Sequence, residues 1–297
     1  MIDASPSKQA TKPAATSGLL GCLAVFASAF CFYFSTVVIR WAQDVVVIDP
    51  AFFAFFRFVL GFLVVALVMA IRRQGPRPQR YHLLVGRTLA NCIAVYCFYQ
   101  AVTHTSVAEA NILNMTYPIF VALLSWVILR HQRDLVAVVM VAVAFGGIWL
   151  ILAPGRIGVN FNSLWGMGSG VSAAFAILYL NISRQYHDAN TVLFYMFGLG
   201  SVVMFLGFHE HIFWPGGRDL YYLTLCGSAG IAGQFLITLG FRYVTAVEGG
   251  VISSTRILLA GLLGPYLAAE PALTVTGWIG AVLIFVANVV LTVRKRP

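Results

Sequence analysis

Long apolar blocks alternate with short polar segments along almost the whole sequence. The blocks are about 18 to 24 residues long, the length at which an α-helix crosses a hydrocarbon core of about 30 Å. Proline and glycine stand at several of the breaks, for example Asp49-Pro50 and Pro154-Gly155. The pattern predicts an all-α membrane protein with ten transmembrane helices, at residues 18–41, 50–71, 82–101, 106–128, 134–153, 163–183, 190–208, 219–241, 246–268 and 273–293.

Composition supports a membrane location and excludes a soluble globule. Hydrophobic residues make up 60% of the 297 positions and charged residues only 10%, whereas a soluble domain carries about 25% charged residues. The net charge of +9 comes from basic residues that stand between the apolar blocks rather than on one helical face. Such residues indicate membrane topology and not a nucleic-acid interface. We therefore expect a lipid bilayer and a small-molecule substrate as partners, and no nucleic acid.

The distribution of Lys and Arg predicts the orientation of the chain. When the N-terminus is placed in the cytoplasm, thirteen of the 19 basic residues fall in cytoplasmic segments and only Arg156 and Arg218 in outer connections. This bias predicts a multi-pass membrane protein with both termini cytoplasmic, including a disordered tail at residues 1–17 and a basic tail at residues 294–297. Four further basic residues lie within or at the ends of predicted spans: Arg40, Arg57, Arg87 and Arg256.

An internal repeat divides the chain into two halves. A Ser/Thr-x-x-Glu capping box opens the fourth span at Ser106 to Glu109, and a second one opens the ninth span at Thr245 to Glu248. Each half then holds five spans, and because five is odd the second half must enter the membrane from the opposite side. Inverted repeats are common among secondary transporters, whose substrate site lies near the midplane between the repeats. The predicted halves are residues 18–153 and 163–293.

These features resemble the drug/metabolite transporter superfamily with two EamA-type repeats. The residues that carry the resemblance are Pro50 and Arg57 in the second span, Pro118 in the fourth, and Glu270-Pro271 before the last. The chain looks most similar to the bacterial aromatic amino acid exporters of the YddG type. The resemblance implies a ten-helix transporter of the bacterial inner membrane that exports aromatic amino acids and related compounds.

Polar side chains inside the predicted spans are the candidates for a substrate site, because a polar group is costly in the bilayer unless it faces a cavity or a partner. Arg256 lies near the middle of the ninth span and is expected to bind a substrate carboxylate in a central cavity. The alternative is an arginine paired permanently with helix carbonyls or a glutamate. The repeat aligns Arg256 with Tyr117, which shares a helical stripe with Asn114 on the fourth span.

Four further candidates lie on other spans. Asn91 and Tyr99 fall on roughly one face of the third span, and the ring of Tyr99 is expected either to stack on a substrate or to belong to the interfacial belt. Tyr179 of the sixth span and Gln234 of the eighth complete the predicted substrate-binding set. Glu109 and Glu248 are interpreted as helix caps rather than proton-coupling groups, since a carboxylate in the first turn meets free amides.

The sequence favours a secondary transporter that exports small organic solutes, in particular aromatic or other hydrophobic amino acids and related metabolites or drugs, by alternating access. No Walker-type phosphate loop is present in the sequence, and no catalytic group, cofactor or metal is expected.

Carriers of nucleotide sugars remain an alternative, but polyanions would need several buried cations. Arg256 is the only basic residue expected near mid-depth, which favours a zwitterion or a neutral or weakly charged solute over a polyanion. A membrane-embedded enzyme, or a sensor that transports nothing, is less compatible with this sequence than a transporter is. A monomer is expected, and a dimer stays open.

Overall fold

A computed structural model of the chain describes residues 15–129, 135–152, 161–241, 243–244 and 246–294. These residues form eleven α-helices, two short 3₁₀ turns at Phe161–Ser163 and His209–His211, and no strand. The helices are α1 (Ala15–Gln43), α2 (Pro50–Ile71), α3 (Tyr81–His104), α4 (Val107–Asn114), α5 (Tyr117–Leu129), α6 (Leu135–Leu152), α7 (Leu164–Ser183), α8 (Ala189–Phe208), α9 (Gly217–Gly240), α10 (Ala246–Leu267) and α11 (Val275–Arg294).

The all-helical prediction is confirmed for these residues, with two corrections at the ends. Residues 15–17 belong to α1 although the sequence assigned them to a disordered tail, and Arg294 belongs to α11 rather than to the basic tail. The rest of both predicted tails lies outside the described residues. Within those residues, five helical segments are long and apolar enough to cross a membrane: Leu19–Gln43, Pro50–Ile71, Phe161–Ser183, Ala189–His211 and Gly217–Gly240.

The fourth predicted span is not one helix but two, α4 and α5, which are separated at Met115 and Thr116. Pro118 explains the interruption, because it has no N–H to donate to the carbonyl of Asn114 and its ring crowds the preceding turn. Thr116 instead donates its hydroxyl to the carbonyl of Leu113 at 2.6 Å. The break leaves Asn114 and Tyr117 on either side of an irregular stretch of backbone.

Helices of the first half pack against helices of the second half in antiparallel pairs. On α1 and α9, Ser28 Oγ donates to the carbonyl of Gly233 at 2.8 Å, and Ser35 Oγ donates to the carbonyl of Cys226 at 3.2 Å. Because the residue numbers rise along α1 while they fall along α9, the two helices run in opposite directions. A third contact, between Gly21 near the start of α1 and Gly240 at the end of α9, agrees with the same antiparallel arrangement.

The pair formed by α2 and α8 shows a reciprocal contact. A Cβ on Gly200 would lie 2.5 Å from the Phe58 ring, and a Cβ on Gly61 would lie 2.6 Å from the Phe197 ring. Each phenylalanine therefore occupies the space above the other helix's glycine. The same number of residues separates Phe58 from Phe197 and Gly61 from Gly200, so the two contacts are copies of each other across the two halves.

Two apolar clusters form the interior of the bundle. The larger one draws mainly on α1, α2, α3, α8 and α9 and contains the fully buried side chains of Tyr33, Phe58 and Phe197. The second draws mainly on α5, α6, α7 and α11, with Ile119 and Ile284 among its buried members. A cavity lies between the two clusters and receives side chains from both halves of the chain.

Candidate functional site

The cavity between the two clusters encloses about 750 Å³ of space, counting the space at its opening. Its walls come from α1, α2, α3, the break between α4 and α5, and helices α7, α9 and α10. Five of the seven predicted site residues contribute to the lining: Asn91, Asn114, Tyr117, Gln234 and Arg256.

Arg256 lies in the cavity wall as the sequence predicts, and its side chain is buried. Its Nη2 donates to Asn114 Oδ1 across the interface between the two halves. The guanidinium carbon lies 5.1 Å from the centre of the Phe98 ring and 5.9 Å from that of Phe32, which are cation–π distances. Its partners are thus an amide and two rings, and none of the described carboxylates pairs with it.

Two further arginines line the same cavity, and the sequence analysis missed both. Arg57 and Arg87 are only 4% and 3% exposed. Arg256 is therefore not, as the sequence led us to expect, the only basic residue of the cavity. The sequence does contain a signal for both, since they are among the four basic residues that lie within or at the ends of predicted spans and not in the loops.

Arg57 is held in place by neighbours from three helices. Its Nη1 donates to the Tyr99 hydroxyl at 3.2 Å and its Nη2 to the carbonyl of Gly230 at 3.3 Å. Its guanidinium carbon lies 5.4 Å from the centre of the Phe32 ring, the same ring that Arg256 approaches. Arg87, in contrast, makes no hydrogen bond to the described part of the chain, so its guanidinium is available to a ligand in the cavity.

Tyr99 and Tyr179 do not line the cavity, contrary to the sequence analysis. Tyr99 is fully buried behind Arg57, where its hydroxyl also lies 3.3 Å from Ser35 Oγ. It therefore orients Arg57 instead of stacking on a substrate. Tyr179 is half-buried, and its ring packs on Gly86, where an added Cβ would come within 2.6 Å of it. Both rings therefore pack between helices. Contacts with the neighbouring helices determine which way each ring points, and these contacts cannot be read from the position of the residue along its span.

The remaining polar side chains of the cavity add hydrogen-bond donors. Asn91 Nδ2 and Gln234 Nε2 are buried and have no partner in the part of the chain that the structure describes. The same holds for the Nε atoms of Arg57, Arg87 and Arg256. Buried donors without partners are unfavourable. A ligand with several acceptor oxygens is the chemical species that best matches such a lining.

One end of the bundle is closed by polar contacts, and we call it the Glu270 end. Both carboxylate oxygens of Glu270, from the connection between α10 and α11, accept from the Val107 N–H at 2.9 Å, at the first residue of α4. Arg40 Nε at the end of α1 forms an ion pair with Glu270 at 3.3 Å. Burial raises the pKa of the Glu270 carboxyl, while the Val107 N–H and Arg40 act in the opposite direction. These contacts join α1, α4 and the α10–α11 connection.

The capping box at α4 is only half formed. Ser106 Oγ accepts from the Glu109 N–H at 3.0 Å, as the motif requires. The Glu109 carboxylate, however, accepts from the Ser163 hydroxyl at the start of α7 instead of returning to its own helix. Glu109 thus adds a further bond between the halves at the Glu270 end. The side chain of Glu248, predicted as the equivalent cap, lies outside the described residues.

Gly230 gives a test of the position of Arg57. A Cβ on Gly230 would lie 2.8 Å from Arg57 Nε and 3.0 Å from its Cδ, so Gly230→Ala must displace the guanidinium. We expect substrate affinity to change by about tenfold while thermal stability changes little, because a flexible side chain can move aside. Binding to the purified variant measures the effect.

Gly227→Ala is the matched control for this variant, since a Cβ there meets Leu60 at 3.4 Å and the Arg57 backbone at 3.7 Å, which are ordinary contacts. Equal effects of the two substitutions on affinity would contradict a role for the Arg57 position.

Comparison with known proteins identifies the family. The model of the EamA-like transporter family matches twice, at residues 19–153 and 160–293. The chain belongs to this family. An uncharacterized transporter of Archaeoglobus fulgidus is 29% identical over 248 residues, which are 83% of this chain and 88% of that protein. The pseudopaline exporter CntI of Pseudomonas aeruginosa is 26% identical and covers 94% of this chain and 97% of its own length.

Two more similarities agree with this assignment. Human solute carrier family 35 member G1 is 24% identical and covers 97% of this chain and 82% of its own length. A solved crystal structure with 18% identity covers 96% of this chain and 100% of that chain with a TM-score of 0.61, which shows the fold alone. The protein is therefore a multi-pass membrane transporter, and the family is one of transporters rather than enzymes. Among the described residues, no group of three or more His, Cys, Asp or Glu could hold a metal ion.

Proposed function

We propose that the protein is a secondary transporter that exports small organic solutes by alternating access through the cavity described above. The single observation that supports this best is the cavity itself, which lies where the two halves meet and takes a buried arginine from each of α2, α3 and α10. Export as the direction rests on similarity to a protein that is named an exporter. The bacterial inner membrane and ten crossings with both termini cytoplasmic belong to the same proposal.

Two inverted five-helix halves are part of this proposal. The antiparallel pairs support the inversion, because α2 and α8 hold equivalent places in the two halves and run in opposite directions. Glu248 follows Glu109 in the sequence by the same number of residues as Phe197 follows Phe58, so the two predicted caps also hold equivalent places in the two halves. An inverted pair places the substrate site near the midplane between the halves. The pairwise contacts fit that arrangement.

The conformation supports access from the end opposite Glu270. The cavity reaches into the half of the bundle away from the Glu270 end, at Ile177 of α7, Gln234 of α9 and Ser253 of α10. Its other wall includes Arg57 and Phe98, which lie in the Glu270 halves of α2 and α3. The polar contacts of Glu270 and Glu109 close the other end. With the N-terminus in the cytoplasm, the Glu270 end faces outward and the cavity faces the cytoplasm. Transport then requires the Glu270 contacts to open.

Aromatic amino acids are one candidate cargo. The cavity contains two phenylalanine rings, Phe32 and Phe98, against which an aromatic side chain could pack, and Arg256 beside them could bind the carboxylate. The charges of Arg57 and Arg87 in the same cavity also bear on the choice of cargo.

Counterflow in proteoliposomes tests the proposed function. Purified protein is reconstituted with an internal pool of unlabelled solute, and uptake of labelled aromatic amino acids, aliphatic amino acids and dicarboxylates is followed. We expect accumulation of at least one class above the level of empty liposomes. Absence of counterflow for every class, with correctly folded protein in the bilayer, would contradict the assignment of a secondary transporter to this cavity.

A further inference from the structure

We infer that the substrate of this cavity is an organic anion with at least two negative charges, carried on carboxylate or phosphate groups. That this anion is a transported substrate rests on the proposed function. That the ligand is an anion rests on the positive charge of the cavity. Arg57, Arg87 and Arg256 all line one space, and each is at least nine-tenths buried. Arginine stays charged at any physiological pH, so the cavity holds three permanent positive charges.

The three charges act on one another. The guanidinium groups of Arg57 and Arg256 both lie over the Phe32 ring, at 5.4 and 5.9 Å from its centre. Arg57 is also close enough to Arg87 for an electrostatic interaction between the two charges. Like charges within a low-dielectric interior repel strongly. A bound anion that contacts more than one of them removes this repulsion, which is the source of the expected selectivity.

The described carboxylates do not balance these charges. Glu109 and Glu270 bind Ser163, Val107 and Arg40 at the far end of the bundle. The other described carboxylates either bind at helix starts or are exposed to solvent: Asp44, Asp49, Asp188, Glu210 and Asp219. A buried charge that lacks a protein partner marks a substrate pathway.

A zwitterion fits this lining less well than a dianion. An amino acid brings one carboxylate together with an ammonium group, and the ammonium needs an acceptor and is repelled by guanidinium groups. Asn114 Oδ1 already accepts from Arg256, and the acceptors that the Tyr117 hydroxyl and the amides of Asn91 and Gln234 offer are all neutral, so no negative charge balances the ammonium. The arginine nitrogens donate whichever way those two amides are turned. A solute with two anionic groups uses the donors and leaves no cation to accommodate.

The test is binding to the full chain in lipid nanodiscs, measured by isothermal titration. Propionate, succinate and tricarballylate carry one, two and three carboxylates, glycerol 3-phosphate carries a phosphate, and L-phenylalanine is the zwitterion. We expect succinate to bind at least about tenfold more tightly than propionate or L-phenylalanine, since one charge-assisted hydrogen bond changes affinity by roughly that factor. Preference for glycerol 3-phosphate over succinate would assign phosphate as the anionic group, and the reverse would assign carboxylates.

Arg87 provides the variant for this test, because it makes no hydrogen bond in the described part of the chain and its charge can be removed without breaking one. We expect Arg87→Gln to lower the ratio of succinate to propionate affinity several-fold and Arg87→Lys to restore part of it. Arg218→Gln, an exposed arginine at the start of α9, should leave the ratio unchanged. Equal affinities for propionate, L-phenylalanine and succinate in the unmodified protein would overturn the inference.

The outcome separates this inference from the proposed function. Counterflow of amino acids without a preference for dianions would leave the transporter assignment intact and refute the dianion. Tight binding of succinate or glycerol 3-phosphate without flux of any solute would support the anion site and refute transport.

Discussion

Arg256→Gln is expected to reduce the transport of carboxylated solutes by about 10- to 100-fold below saturation, because a charged hydrogen bond contributes roughly 1.5–3 kcal/mol. Arg256 links the two halves through its bond to Asn114, and it also lies on the Phe98 ring. Initial rates of uptake into proteoliposomes measure the effect. Gln keeps a donor and much of the side-chain volume, so the loss reports the charge.

The control compares two kinds of solute. A neutral solute that crosses through the same cavity should lose far less transport in Arg256→Gln than a carboxylated solute does, since it makes no ion pair with the guanidinium. Equal losses for both solutes, together with a lower thermal stability, would assign Arg256 to folding instead of substrate binding. Arg218→Gln removes the same charge at an exposed position and should transport both solutes normally.

Gly147→Ala is expected to destabilise the protein by about 1–3 kcal/mol, as overpacking of a close interface commonly does. Gly147 of α6 and Gly280 of α11 bring the two backbones into contact, and a Cβ on Gly147 would lie 2.7 Å from the Gly280 carbonyl oxygen. A backbone oxygen cannot turn aside as a side chain can, so the two helices must separate. Thermal unfolding of the purified protein in detergent measures the loss.

Gly146→Ala is a matched control at the neighbouring position. Gly146 is exposed on α6, and an added Cβ meets no atom within 4 Å. Because alanine favours the helix over glycine by about 1 kcal/mol, this variant should be unchanged or slightly more stable. Equal melting temperatures for the two variants would show that α6 and α11 do not approach each other as closely as the structure has them.

The break in the fourth span illustrates what sequence can and cannot reveal. Pro118 indicates that the helix is disturbed, because proline removes a donor wherever it stands. The sequence analysis nevertheless wrote one span, since both sides of the break are apolar. The positions of Asn114 and Tyr117 in the cavity wall depend on how α5 is set against α4 and α7. That arrangement follows from contacts between distant segments, such as the hydrogen bond from Asn114 Nδ2 to Ser169 Oγ at 2.7 Å.

Arg57 illustrates the same limit for the site. The sequence places Arg57 inside the second span but does not distinguish a structural anchor from a residue of the cavity wall. In the structure one side of its guanidinium is anchored, to Tyr99 and Gly230, while the residue lines the cavity. Both partners come from other helices, so no local pattern around Arg57 could have shown the arrangement.

The sequence by itself determined the helices, the apolar lengths that suit a bilayer, the repeat and the family resemblance, because these depend on the order and spacing of residues along the chain. Only the tertiary structure decided which side of each helix faces the cavity. A helix that is apolar all round has no polar face to fix its rotation. Its rotation is set by packing against helices of the other half, such as Phe58 on Gly200. Three arginines from separate helices therefore meet in one cavity, which changed the expected substrate from a zwitterion to a dianion.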